Sequence, residues 1–422
     1  MKKKNNKGIK TTWLLLGKFL FCILIILALA LANVFNKVED IIEDVPEEIV
    51  AKTIPKVYFE GDITNMETKT DVRQIKLIYE SDDIYFEAYT EIKIQGTSSL
   101  AYEKKNYTIN LYEDEEYENK KNVDIGYGFA SKYCLKANWI DKTHARNIVT
   151  ARIASSIQEK YGLFLDTPNN GVIDGFPVEV YSNGEFLGLY TWNIPKDAWM
   201  FHMDEENENH IVLSGNGWTE GNMFTSLTDF SEWEVEVGTE NDETLKKFNR
   251  LVGFVKNSTN EIFKNDFSNY LNLDSTINYF IMLEFAQLID NSGKNMLMVT
   301  YDGNVWYPSL YDLDTAFGTN PYGSALLDYT VVGNSLASNL WKRLVEVFPN
   351  EIKERYRELR ENILTEENIM KEFKIFSNSI PNEIFQKELE KWGPILPGYD
   401  LTQIEEFLRV RIPIVDAYMY GL

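Results

Sequence analysis

Oxygen donors with the types and spacing for chemistry cluster between Leu288 and Gly318, in "LIDNSGKNMLMVTYDGNVWYPSLYDLDTAFG". Asp290 and Asn295 stand five apart after a long apolar run, with Gly293 able to curl the loop between them. Asp312 and Asp314 alternate, so in a strand they would share one face with Leu313 on the other. Hard divalent ions require oxygen ligands, and Mg2+ typically takes one or two carboxylates together with phosphate oxygens. An Asp that orients a hydroxyl, an Asn that helps to hold metal and a later Asp on the metal are the parts of protein-kinase phosphoryl transfer. Each motif alone is weak, because Asp and Asn also build turns. Their combination and order carry the reading.

Phosphoryl transfer also needs a cation and a donor-rich turn for the nucleotide phosphates. Both occur in "IKIQGTSSLAYEKKNYTINLY", where a strand leads to the turn Gly96-Thr97-Ser98-Ser99 and then to Lys104 and Lys105. Small and hydroxyl residues in a turn offer N–H and O–H groups to phosphate oxygens. Alternation puts Lys105 on the face of Tyr107, Ile109 and Leu111. With that face inward, Lys105 points into a cleft and Lys104 outward. A charge on an apolar face is costly unless paired, which favours Lys105 as the working cation. Other chemistries find little support. Cys22 lies in an apolar run, leaving Cys134 alone, and the three histidines lack zinc-ligand spacing.

The elements that must position these residues fall into two kinds. From residue 55 to about 200, period-two patterns predict strands in "KVYFEG", "IKLIYE", "TEIKIQG" and "NYTINLY". "THARNIVTARIASSIQEKYG" has helical spacing and a C-terminal cap in Gly162. "FPVEVYSNGEFLGLYTWNI" is a hairpin about Asn183-Gly184. Residues 201–245 are polar and read as an insertion or crossover. Over 246–422 helices dominate, interrupted by the strands "MLMVTY" and "VWYPSLY". The expected class is α+β in two lobes, strand-rich first and helical second.

The chain has 422 residues and a net charge of −23, which argues against nucleic acid as a partner. Its first residues are instead basic, with Lys2, Lys3, Lys4, Lys7, Lys10 and Lys18 before the apolar run "FLFCILIILALALA". Residues 1–36 therefore read as a signal peptide or a membrane anchor, and 37–54 as an acidic linker. Either version places the remainder outside the cytoplasm.

The blocks "IQGTSSLAYEKKNYTINL", "YCLKANWIDKTHARNIVTARIA", "PVEVYSNGEFLGLY", "DNSGKNMLMVTYDGNVWYPSLYDLDTAFG" and "LWKRL" follow one another in an order that resembles the CotH-type (spore-coat protein H) kinases. The resemblance runs from about residue 55 to 345. It implies an atypical protein-kinase-like fold that moves phosphate from ATP, with Mg2+, to Ser or Thr of surface or coat proteins. Carried over by position, Asp290 is the catalytic Asp, and Asn295 with Asp312 or Asp314 holds the metal. Lys105 or Lys104, the turn Gly96, Thr97, Ser98 and Ser99, and Arg146 of the "RN" block lie on the nucleotide. Glu179 is a candidate ion-pair partner for Lys105. Gln95 stands where relatives often have Arg, which removes one phosphate contact. Two rival readings are a surface adhesion protein that keeps the fold without catalysis, and an enzyme that transfers AMP.

Overall fold

The computed structural model describes residues 53–96, 98–393 and 400–422. The signal or anchor segment, nearly all of the acidic linker and Thr97 lie outside the described residues. Thr53–Leu422 forms one compact unit. It is α+β, with strands concentrated in the first half and helices in the second.

Seven strands close a barrel: β1 (Lys56–Phe59), β2 (Val72–Glu80), β3 (Tyr85–Gln95), β4 (Asn106–Tyr112), β7 (Lys132–Lys136), β8 (Gly175–Ser182) and β9 (Glu185–Asn193). A small separate hairpin pairs β5 (Val123–Asp124) with β6 (Phe129–Ala130). Around the barrel the order is β1-β2-β3-β4-β7-β9-β8. Only the closing β1–β8 pair is parallel. Alternation sends Leu77, Ile92, Ile109, Tyr133, Val178 and Trp192 into a dry interior. The opposite face of β3, β4, β7 and β9 is polar. The register aligns Gln95 with Asn106, Thr108 with Cys134, Cys134 with Asn193, and Lys136 with Thr191.

Helix α1 (Arg146–Lys160) follows β7. It ends as its sequence predicts: Gly162 adopts φ 68°, and the N–H groups of Gly162 and Leu163 return to Glu159 O and Gln158 O. The β8–β9 hairpin turns at Asn183 and Gly184, both with positive φ.

The stretch read as an insertion supplies two strands, β10 (Ile211–Gly215) and β11 (Trp233–Val237). With β12 (Met296–Thr300) and β13 (Tyr307–Leu310) they form a sheet in the order β11-β10-β12-β13. Its polar composition reflects the long connection between the strands; β10 itself is wholly buried. The helices of this half are α2 (Asp242–Asn257), α3 (Asn260–Asp266), α4 (Leu273–Phe285), α5 (Asn339–Val347), α6 (Pro349–Arg360), α7 (Glu366–Asn378), α8 (Asn382–Trp392) and α9 (Thr402–Gly421). Side-chain caps start several of them: Asn241 Oδ1 accepts from Thr244 N, Asn272 Oδ1 from Ser275 N, and Thr365 Oγ1 from Asn368 N. The helices share a second apolar core with the sheet, centred on residues such as Phe248, Phe280, Leu297, Trp306 and Trp341. No helix among the described residues is long and apolar enough to cross a membrane.

Candidate active site

Asp290 lies in the loop between α4 and β12, and that loop is held from every side. Tyr279 Oη donates to Asn291 O (2.7 Å), Asn291 Nδ2 to Tyr311 O (2.7 Å), and Trp341 Nε1 to Ser292 O (3.0 Å). Asn295 N–H donates to Gly215 O of β10 (2.8 Å), and the backbone of Asn295 takes a left-handed φ of 58°. The loop thus aims Asp290 from a rigid support, as a reacting carboxylate requires.

Asp312 and Asp314 lie just beyond β13. They do not continue the strand, because Asp312 has φ 55° and turns the chain. Both Asp are half-buried and Leu313 is fully buried. Helix α1 fixes this turn through the residues of the "RN" block. Leu313 N–H donates to Asn147 Oδ1 (2.9 Å), and Arg146 Nε donates to Ala316 O (3.1 Å). Arg146 also pairs with Asp141 and donates to Gln403 of α9. Asp141 in turn accepts from the N–H of Arg146 (2.8 Å) at the start of α1. Arg146 is therefore buried and engaged with protein groups, and it acts on the site through the Asp312–Ala316 turn.

The three carboxylates act on one another. Burial raises the pKa of Asp290, Lys294 opposes the rise from 3.7 Å, and Asp312 adds to it. Burial also lifts Asp314 well above the ordinary Asp range, and Asp312 lifts it further. Lys136 opposes this, while Asp141 and Asp290 contribute in the same upward direction. Asp290, in the loop after α4, and Asp312 and Asp314, after β13, are thus brought together. Among the described residues no three His, Cys, Asp or Glu form a set that could hold a metal unaided.

The cation that meets them is Lys136, which the sequence reading passed over. It ends β7 and is 9% exposed. Its ammonium makes one hydrogen bond among the described residues, to Tyr311 Oη at 3.4 Å. Burial disfavours its charge, yet Tyr311 and Asp312 more than offset that and hold its pKa above the usual lysine value. Lys196 approaches the other side of Tyr311, 4.6 Å from the ring centre, and pairs with Glu236. A signal for Lys136 was present: a lysine closing an apolar strand just before a helix, in "YCLKANW", has the placement of the lysine in the kinase V-A-I-K motif.

The two lysines singled out from sequence are both engaged with protein groups. Lys104, expected to face outward, is 1% exposed and pairs with Glu388 of α8 at 2.6 Å. Strand β4 begins only at Asn106, so alternation does not govern Lys104 or Lys105. Lys105 donates to Leu100 O (2.7 Å) and Tyr102 O (2.5 Å), which braces the turn after β3. Glu179 accepts from Tyr181 Oη and pairs with Lys387 at 3.5 Å, away from Lys105.

The turn itself requires Gly96, whose φ is 110° and where an added Cβ would lie 1.9 Å from Ser99 Oγ. Ser99 Oγ donates to Gln95 O (3.4 Å) and accepts from Asn106 Nδ2 (3.3 Å). Tyr102, also missed from sequence, reaches across to donate to Pro321 O (3.0 Å). Burial raises its pKa, and so do Asp314, Asp312 and Asp290, which places Tyr102 beside the acidic cluster. Tyr102 thereby ties the residues after the turn to the segment after Asp314.

A buried ammonium, three mutually acting carboxylates and Tyr102 form one polar site between the barrel face and the β12–β13 loops. No curated protein matches the chain. Most of the chain, residues 92–412, matches the family model described as CotH kinase protein, and the chain belongs to that family.

Proposed function

We propose that this protein is an exported, Mg2+-dependent protein kinase that transfers the γ-phosphoryl of ATP to Ser or Thr hydroxyls of surface or coat proteins. Membership of the kinase family supports phosphotransfer and the use of ATP. The observation that carries the site assignment is Lys136, a buried ammonium beside Tyr311 and Asp312. Protein kinases place a glycine-bearing turn, a strand lysine, a helix, a hydroxyl-orienting Asp and a metal-binding Asp in that chain order. Here the order is Gly96, Lys136, α1, Asp290 and Asp312/Asp314. Lys136 would orient the nucleotide phosphates, with the turn lying over them. Lys105 braces that turn, and Lys104 serves the barrel–helix junction.

Asp290 would hold the acceptor hydroxyl. The hydroxyl oxygen attacks the γ-phosphorus, the bond to the β–γ bridging oxygen breaks, and ADP leaves with that electron pair. The hydroxyl proton passes to the Asp290 carboxylate and then to solvent. Asn295 with Asp312 or Asp314 would hold a divalent ion, which would supply neutralisation of phosphate charge. The donor set fits such an ion. It consists of hard oxygens, and Asp314 lacks enough nearby positive charge to ionise easily.

Labelled ATP with Mg2+ and a surface-protein extract tests the reading. Incorporation that is lost in Asp290→Asn supports it, and equal incorporation by both proteins refutes it. The mass added to the acceptor separates phosphate, about +80 Da, from AMP, about +329 Da. A melting point that ignores saturating ATP and Mg2+ would favour the adhesion reading.

A further inference from the structure

A lysine ammonium carries three N–H donors, and the fold occupies only one of those on Lys136. Among the described residues its sole hydrogen bond goes to Tyr311 Oη at 3.4 Å, and no carboxylate pairs with it. Protein kinases steady the strand lysine that meets the nucleotide phosphates with a glutamate from a helix. Helix α1 cannot supply that partner, because its one acidic residue, Glu159, is exposed in the last turn. The group that stands in the glutamate's place is the Tyr311 phenol.

Tyr311 is itself fixed by its surroundings. Its C=O accepts from Asn291 Nδ2 at 2.7 Å, beside Asp290 in the chain, and its own peptide bond leads into Asp312. Lys196 Nζ stands 4.6 Å from the ring centre. Unlike Lys136, Lys196 has its donors engaged: it bonds Ser214 Oγ at 3.2 Å, pairs with Glu236 of β11 and faces the ring. Burial disfavours its charge, but Tyr311 and Glu236 hold its pKa above the usual lysine value, so the cation over the ring persists. A fully engaged ammonium is a support. One buried with two spare N–H groups is waiting for a ligand.

We propose that Tyr311 is the positioning residue that aims the Lys136 ammonium at the nucleotide phosphates, and that Lys196, locked by Glu236 and Ser214, holds the Tyr311 ring for that task. This rests on the kinase reading above. A phenol oxygen suits the role because it accepts a hydrogen bond without neutralising the ammonium, which leaves the whole charge of Lys136 for phosphate. Glu236 completes the device: it compensates Lys196, whose charge would otherwise repel Lys136 across one ring.

The test measures the affinity of the full-length chain for ATP with Mg2+, by competition against a fluorescent ATP analogue, with melting curves as the check on folding. Tyr311→Phe keeps the ring and removes the acceptor. It should weaken ATP about tenfold, the worth of one hydrogen bond to a charged group. In a Lys136→Met background the same change should cost less than about twofold, because Tyr311 acts through Lys136. Lys196→Met should weaken ATP about fivefold alone and add nothing to Tyr311→Phe. Unchanged affinity in Tyr311→Phe, or a tenfold loss that persists without Lys136, overturns the inference and leaves the kinase reading intact. Losses from Lys196→Met and Tyr311→Phe that multiply would put Lys196 on the phosphates itself and overturn its assigned role. A wild-type chain that binds no ATP with Mg2+ overturns both readings.

Discussion

A lysine buried without a carboxylate in contact is an expensive residue to keep, since the isolated ammonium resists leaving water. Lys136 persists in that position, held by Tyr311 and the field of Asp312. The arrangement makes sense for a cation awaiting phosphate. Lys136→Met should lower phosphoryl transfer by about a hundredfold or more, on the scale of losing a charged transition-state contact. Lys105→Ala should cost much less, roughly fivefold or under, because its ammonium only braces backbone carbonyls. Steady-state kinetics of the two variants decides between the lysines. The sequence offered Lys104 and Lys105 because they adjoin the turn. The signal for Lys136, a lysine closing the apolar strand in "YCLKANW", is weaker than adjacency to a turn, because it does not tell a strand lysine facing a cleft from one facing water. A second residue-scale prediction concerns pH. Asp290 must be ionised to accept a proton, and burial raises its pKa while Lys294 restrains the rise. Activity should therefore climb with pH along a limb displaced upward from the ordinary Asp value. Lys294→Gln removes the restraining charge and should move that limb to higher pH; an unmoved limb in kcat/KM profiles would show that Lys294 does not act on Asp290.

Elements position the site mainly through the N-terminal end of α1 and the turn after β13. Several non-glycine residues around this junction hold left-handed backbone: Asn138, His144, Gln287, Asn295, Asp312 and Phe317, all with φ between 50° and 58°. Each costs about 1–2 kcal/mol against ordinary helical or extended backbone, less for Asn and Asp. They recur where the chain turns sharply between one structural element and a reacting group. Such turns explain why alternation alone does not give the geometry of Asp312 and Asp314: the turn at Asp312 is held by α1 from a distant part of the chain. The bond from Leu313 N–H to Asn147 is the key contact, so Asn147→Ala should cost about 1–3 kcal/mol by leaving a buried donor unpaired, and should depress kcat more than KM for ATP. His144 provides a pH test of the same junction. It is buried and faces Glu388 at 3.9 Å, Asn138, the Phe385 ring, Lys104 and Lys142. Burial, Lys104 and Lys142 hold its pKa well below 6.5. The unfolded chain therefore binds a proton that the folded chain refuses, and stability falls as pH drops through and below 6.5. His144→Asn tolerates the same backbone φ and should flatten that loss, which approaches about 1.4 kcal/mol per pH unit in the wild type. Denaturant melts between pH 7 and 5 read the difference.

On the scale of the whole molecule, the barrel and the helical part are joined by a contact that no local pattern could reveal, since its partners are 284 residues apart. Helix α8, which was not distinguished from sequence, lays Glu388 against the barrel. One carboxylate oxygen takes Lys104 at 2.6 Å and the other accepts Leu189 N–H at 2.7 Å. Trp392 Nε1 adds a bond to Leu187 O (2.9 Å), and the approach is permitted by Gly188, where a Cβ would lie 2.8 Å from Lys104 Cε. Lys104 also donates to Ala137 O, the residue next to Lys136, so this junction backs the proposed phosphate cation directly. Strand periodicity and the Gly162 and Asn183-Gly184 signals made the barrel and α1 legible, because those are local. A buried ion pair across the chain is not, because burial turns an ordinary polar pair into a strong constraint only after folding. The pair's worth should show in how its halves behave. Glu388→Leu leaves a buried ammonium uncompensated and should destabilise by about 3–5 kcal/mol. Lys104→Met combined with Glu388→Leu should recover most of that, short by the roughly 1–3 kcal/mol lost when Leu189 N–H goes unpaired. Equal losses in the single and double variants would mean that the junction is held by packing of α8 alone, with the charges incidental.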